Sequence, residues 1–163
     1  MSRAFVKEGS GELDPLPDLP ISKHPNWVTA SGLADLKARL AETQARLAEL
    51  RARPDRLDKL PEAAAERDIR YLEARLATAT LVAPPEAPEE VGFATEVTLA
   101  DDAGRTQRYR ITGEDEADAA KGWISLYAPL ARALLGAQIG DTVTWRRPAG
   151  AVELEILTIR PAP

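Results

Sequence analysis

The chain has 163 residues, 44% hydrophobic and 29% charged, with a formal net charge of −5 and a pI near 5.0. That supports one or two modest domains, and the acidic balance excludes binding nucleic acid by phosphate neutralisation, which needs a basic face. No cysteine and a single histidine, His24, leave no disulfide framework, thiolate site, Ser-His-Asp triad or multi-histidine metal site, and no apolar run approaches membrane-spanning length.

Residues 1–28 are expected to be an extended lead-in. Their middle, Gly9-Ser10-Gly11-Glu12-Leu13-Asp14-Pro15-Leu16-Pro17-Asp18-Leu19-Pro20, carries prolines that forbid both helix and central strand. Nothing at the N-terminus has the apolar core of a signal peptide, so a cytoplasmic location is expected. Ile21, Trp27 and Val28 are apolar enough to pin the end of the lead-in, with Trp27 read as a packing anchor.

From residue 29 to 82 the pattern is that of two helices folded back on each other. Leu33, Leu40 and Leu47 recur every seven residues, and Leu36, Thr43 and Leu50 form the companion row, an a/d seam. Thr29 is the preferred N-cap. On the second arm Ala65, Leu72 and Ala79 repeat every seven residues, with Ile69 and Leu76 interleaved. Between the arms, Pro54 disfavours helix at Arg53, and Pro61 suits the first turn of a new helix. Arms over 31–53 and 61–82 would each run roughly 33 Å at about 1.5 Å rise per residue, longer than a small core requires. The turn carries Asp55 and Asp58, spaced to point the same way. Two such carboxylates can share a magnesium ion through oxygen ligands, although Arg53, Arg56 and Lys59 beside them fit equally well a solvated mixed-charge turn.

Ala83-Pro84-Pro85-Glu86-Ala87-Pro88-Glu89-Glu90 breaks the helical period and is read as a linker between the hairpin and a domain over 91–163. There the period changes to two. Phe93, Thr95, Val97 and Leu99 alternate with smaller or polar residues, 101–104 turn, and 107–111 pair back as a hairpin. A charged loop over 113–120 precedes a strand at 123–126. Pro129 opens a short helix that Gly136 stops, and strands follow at 142–145 and 152–159. The fold class is α+β: an antiparallel coiled-coil hairpin followed by a small antiparallel β domain with one short helix.

The run Ile124-Ser125-Leu126-Tyr127-Ala128-Pro129-Leu130-Ala131-Arg132-Ala133-Leu134-Leu135-Gly136, then Ile139-Gly140-Asp141 and Pro148-Ala149-Gly150, resembles the C-terminal domain of bacterial Gre transcript-cleavage factors. Val28-Thr29-Ala30-Ser31-Gly32-Leu33-Ala34-Asp35-Leu36-Lys37 resembles the start of their coiled coil, and Arg70-Tyr71-Leu72 resembles the descending arm of the GreB branch. The resemblance spans about residues 27 to 160. It implies an FKBP-like C-terminal domain without isomerase activity and RNA polymerase as partner. In the family that domain docks at the rim of the polymerase's secondary channel, and two acidic tip residues help the polymerase bind its second magnesium ion and cleave backtracked RNA. Carried over, Asp55 and Asp58 are the tip pair, and Tyr127, Pro129, Leu130 and Arg132 form the docking corner. The implied protein is a monomeric factor rather than an enzyme, with no cofactor of its own and reaching nucleic acid only through the polymerase. The family tip Gly-Asp-x-Ser-Glu-Asn is replaced by Pro54-Asp55-Arg56-Leu57-Asp58-Lys59, Tyr127-Ala128-Pro129 stands for the usual Asn/Asp-Ser-Pro, and each arm is about one heptad, about 10 Å, shorter. A non-cleaving polymerase binder resembling Rnk, and a scaffold or dimerisation module, therefore remain open alternatives.

Overall fold

The computed structural model describes residues 13–163. A two-residue strand β1 (Trp27–Val28) leads into helix α1 (Ala30–Ala52), whose N-cap Thr29 accepts a hydrogen bond from the Gly32 N–H. Between Leu33 and Leu50 only the seam is covered: Leu36 and Leu47 are buried, Leu33, Leu40, Thr43 and Leu50 half-buried, and the rest exposed. The a/d spacing put these six side chains on one stripe, and the stripe found its partner. Helix α2 (Leu60–Thr78) returns antiparallel, with Ala65 and Leu72 buried and Ile69 and Leu76 half-buried against that seam. At about 1.5 Å per residue the helices span roughly 34 and 28 Å.

The second helix ends earlier than the expected residue 82. The Asn26 amide donates to the Arg75 carbonyl at 2.8 Å and so takes one of the last-turn acceptors, while the Thr80 N–H donates to the Asn26 carbonyl at 2.8 Å. Thr80–Leu81 then run as strand β2, parallel to β1. Val28, only 3% exposed, does the pinning, whereas Ile21 and Trp27 are 43% and 40% exposed. The Trp27 ring meets Phe93 in a T-shaped contact, with the ring centroids 5.6 Å apart. Residues 1–12 of the lead-in lie outside the described residues.

The rest is a five-stranded sheet made of β3 (Thr95–Asp101), β4 (Thr106–Thr112), β5 (Trp123–Ser125), β6 (Thr142–Arg147) and β7 (Gly150–Pro161), in the order β5-β4-β3-β7-β6. All neighbours are antiparallel except β5, which joins β4 in parallel. That one pairing differs from the expected all-antiparallel domain, because the 113–122 connection crosses over instead of forming a hairpin. Helix α3 (Pro129–Leu134) covers one face, burying Leu130, Ala131 and Leu134 against Val97, Leu99, Ile111, Leu154 and Ile156. A register shift opposite Thr98 and Leu99 changes the phase of β7, so that Ile159 faces the core along with Leu154 and Ile156 while Leu157 turns outward.

The expected charged loop at 113–120 is instead two 3-10 turns, Glu114–Glu116 and Ala119–Lys121, and the first of them fastens the hairpin to the sheet. Gly113 permits the approach, since a Cβ there would lie 2.3 Å from the Trp27 carbonyl oxygen. Arg75, 2% exposed, donates from Nε to Asp115 at 2.6 Å and from Nη2 to Asn26 at 2.8 Å, with Glu114 at 3.5 Å. The Tyr71 hydroxyl donates to the other Asp115 oxygen. Glu116 accepts from Thr29 at 2.6 Å and Ser31 at 2.7 Å, which ties it to the first turn of α1. The base of both helices is thus held by three consecutive acidic residues.

Two predictions follow from this junction. Asp115→Ala leaves Arg75 charged and short of its best partner, and breaking a buried pair in this way costs about 3 kcal/mol or more, so the urea midpoint should fall at unchanged m. The Tyr71 hydroxyl is pushed up to about 12, first by burial and then by its bond to Asp115. A raised pKa means that the folded state keeps the proton the unfolded chain loses near pH 10. Stability is therefore complete below pH 10 and falls as pH climbs toward about 12. Tyr71→Phe should remove that alkaline loss, read as the difference between the two proteins' melting curves across this range.

Candidate functional site

The tip lies between Arg53 and Leu60. Arg53, extended before Pro54, closes α1 with its N–H on the Leu50 carbonyl at 3.4 Å. Two successive Asx-type turns follow. Asp55 Oδ1 accepts from the Leu57 N–H and Asp58 Oδ1 accepts from the Leu60 N–H, each at 3.0 Å. Both aspartates are exposed, and Leu57 at the apex is 93% exposed. Each carboxylate spends one oxygen on the turn, and among the described residues no hydrogen bond engages the second.

Among the described residues no arginine or lysine forms an ion pair with either aspartate. Arg56 turns back onto α2, where Nε and Nη2 donate to the Glu62 carboxylate at 2.9 and 2.6 Å. That hydrogen bond holds the Glu62 carboxyl below its ordinary range. Glu62 sits in the first turn of α2, where the helix dipole favours a negative charge, and its side chain is 8% exposed. The six-residue offset between Arg56 and Glu62 crosses a turn and fits no helical or strand period, so the sequence carried no signal for this pair. Among the described residues no cluster of three or more His, Asp or Glu side chains is assembled that could hold a metal ion. The donor set at the tip, two carboxylates, suits an ion shared with another molecule's ligands and not a resident one.

The expected docking corner holds Tyr127, Pro129 and Arg132 at the surface, with Tyr127 half-buried and the other two exposed. Leu130 is 4% exposed and packs in the sheet core, so its reading as a contact residue is corrected: it shapes the corner from inside. The helical spacing that sends Leu130, Ala131 and Leu134 inward is the reason. Tyr127 is engaged by the lead-in: its hydroxyl donates to the Pro25 carbonyl at 2.8 Å, and its ring stacks on His24 at 4.1 Å. With Arg132, Trp27, Phe93 and Leu135 it lines a shallow hollow of about 470 Å³. The tip and the corner are separate sites.

A helical hairpin with two exposed aspartates at its apex, seated by its base on a small β body, is the architecture of this chain. The family described as "Transcription elongation factor, GreA/GreB, C-term" matches residues 78–161. The chain is 44% identical over 96 residues to transcription elongation factor GreB of Neisseria meningitidis serogroup B, covering 58% of this chain and 59% of that one. It is 39% identical over 102 residues to transcription elongation factor GreA of Alkalilimnicola ehrlichii, covering 61% and 65%. Against transcription elongation factor GreB of Xanthomonas axonopodis pv. citri the identity is 35% over 163 residues, covering 86% of this chain and 94% of the relative. The chain belongs to the GreA/GreB transcription elongation factor family. It spans about three fifths of the length of the Neisseria and Alkalilimnicola relatives, and most of the Xanthomonas one.

Proposed function

We propose that the protein is an elongation factor that binds RNA polymerase through the corner at Tyr127, Pro129 and Arg132, enters the secondary channel with its hairpin, and stimulates cleavage of backtracked RNA through Asp55 and Asp58. Residues 83–90 join the two working parts in this reading. The observation that carries it is the state of the tip. Both carboxylates are exposed, each keeps an oxygen outside the turn's hydrogen bonds, and Arg56 is withdrawn onto Glu62. Magnesium, when bound between polymerase and tip, would supply charge neutralisation and an activated water. The protein's own part is to hold the two carboxylates at the end of a stiff arm and deliver them. The polymerase does the chemistry, and this chain is not an enzyme by itself. The 19-residue α2 favours a second reading, in which the arm falls short and the protein occupies the channel without promoting cleavage.

The distinguishing experiment is RNA cleavage on a stalled, backtracked complex. Asparagine keeps the side-chain oxygen that each Asx turn needs while removing the charge, so Asp55→Asn with Asp58→Asn preserves the tip. The double variant should bind the polymerase within about threefold of the native protein and lose stimulated cleavage by at least about tenfold, about 1.4 kcal/mol of barrier. Native protein that binds the polymerase yet leaves the transcript uncut at every magnesium concentration would overturn the cleaving reading in favour of the short-arm one.

A further inference from the structure

The lead-in does more than approach the hairpin. Residues 13–25, held extended by Pro15, Pro17, Pro20 and Pro25, run from the hairpin base to its tip, where Leu13 and Pro15 share a hollow of about 370 Å³ with Arg51, Arg56 and Lys59. Three attachments hold them. Midway, Arg70 Nε meets Asp18 at 2.6 Å, and Nη2 donates to the Leu16 carbonyl at 2.9 Å. Leu16 and Leu19 are half-buried, and Leu19 shares a hollow of about 320 Å³ with Arg39, Thr43, Tyr71 and Leu72. At the base, His24 stacks on Tyr127 and the Pro25 carbonyl takes the Tyr127 hydroxyl.

These attachments are weak in kind. Among the described residues, no backbone group of 13–25 pairs with another backbone group. The Arg70–Asp18 pair leaves its side chains 40% and 76% exposed, the class of ion pair that contributes least. A segment with exposed polar contacts and few buried apolar ones opens locally at small cost. It nevertheless covers a face of the hairpin and commits both the ring and the hydroxyl of Tyr127.

We propose that residues 13–25 form a releasable strap, an internal ligand of the hairpin face and of Tyr127, which lifts before a partner docks at the corner. The strap itself stands on the contacts above; the requirement that it lift rests on the docking function proposed for that corner. A partner reaching Tyr127 must replace the His24 ring and the Pro25 carbonyl. The strap thus sets a threshold for docking at the corner.

The absence of native cysteine allows a clean test in the full chain. Leu19→Cys places a single thiol under the strap, and its rate of reaction with a maleimide reports opening. Adding Arg70→Asp should raise that rate at least about threefold, and adding Asp18→Arg as well, which restores the pair with the charges exchanged, should bring it most of the way back. Equal rates in all three proteins would overturn the strap. For the docking requirement, Leu19→Cys and Thr43→Cys are joined by a flexible bis-maleimide and compared with the same protein carrying separately capped thiols. The tethered form should bind purified RNA polymerase at least about fivefold more weakly. Equal affinities would show that the strap need not lift. Failure of the capped protein to bind at all would overturn the docking reading and the lifting requirement with it, while the thiol rates still decide the strap.

Discussion

One buried charge organises this molecule. Arg75 on α2 is almost wholly removed from solvent, and a guanidinium in that state is stable only when its donors meet acceptors and its charge meets an opposite one. Asp115, Asn26 and Glu114 supply these from two other parts of the chain. The requirement couples elements that would otherwise be independent. The lead-in must turn inward at Asn26, α2 must end where Asn26 takes its carbonyl, and the 114–116 turn must lie against the hairpin base. A pair like this contributes modestly to net stability beside an apolar equivalent but is costly to break, so its effect is to select one arrangement over others.

That arrangement is what the tip needs. The a/d seam supplies stiffness along the hairpin and the junction supplies direction, so Asp55 and Asp58 stand at the end of an arm fixed at its base. The tip itself is made of local interactions: two Asx turns, a proline at each end, and an arginine folded back onto the first turn of α2. The apex is therefore formed within the chain itself, which in the proposed docking would limit the ordering entropy lost on association.

Much of this was legible in the sequence because it is periodic or local. The six seam residues from Leu33 to Leu50, the Thr29 cap, the Pro54 break and the helix opened by Pro129 all follow from spacing and backbone chemistry. Most of the misses depend on a residue far away in the chain. The Glu114–Glu116 run read as part of a charged loop because three acidic residues carry no sign of the arginine that waits for them 39 positions earlier in the chain. Arg75 stands three residues after Leu72 on the buried side of α2, but the apolar repeat carries no sign of a charge there, and the early end of α2 depended on Asn26, 49 residues away. Leu130 went the other way: a family motif pointed outward, and the helix geometry turned the side chain in. The aspartates of the tip were legible as a pair, but the freedom of that pair from Arg56 depends on Glu62 across the turn.

The Arg75 junction holds the hairpin in one direction relative to the sheet. Spin labels at Leu57→Cys on the apex and Ala103→Cys in the β3–β4 turn, in a chain with no other cysteine, measure this directly by pulsed electron paramagnetic resonance. A single distance distribution, no broader than that of a pair placed wholly within the sheet and broadened by Arg75→Ala, is the predicted result. A broad or multiple distribution in the native chain, unchanged by Arg75→Ala, would contradict it.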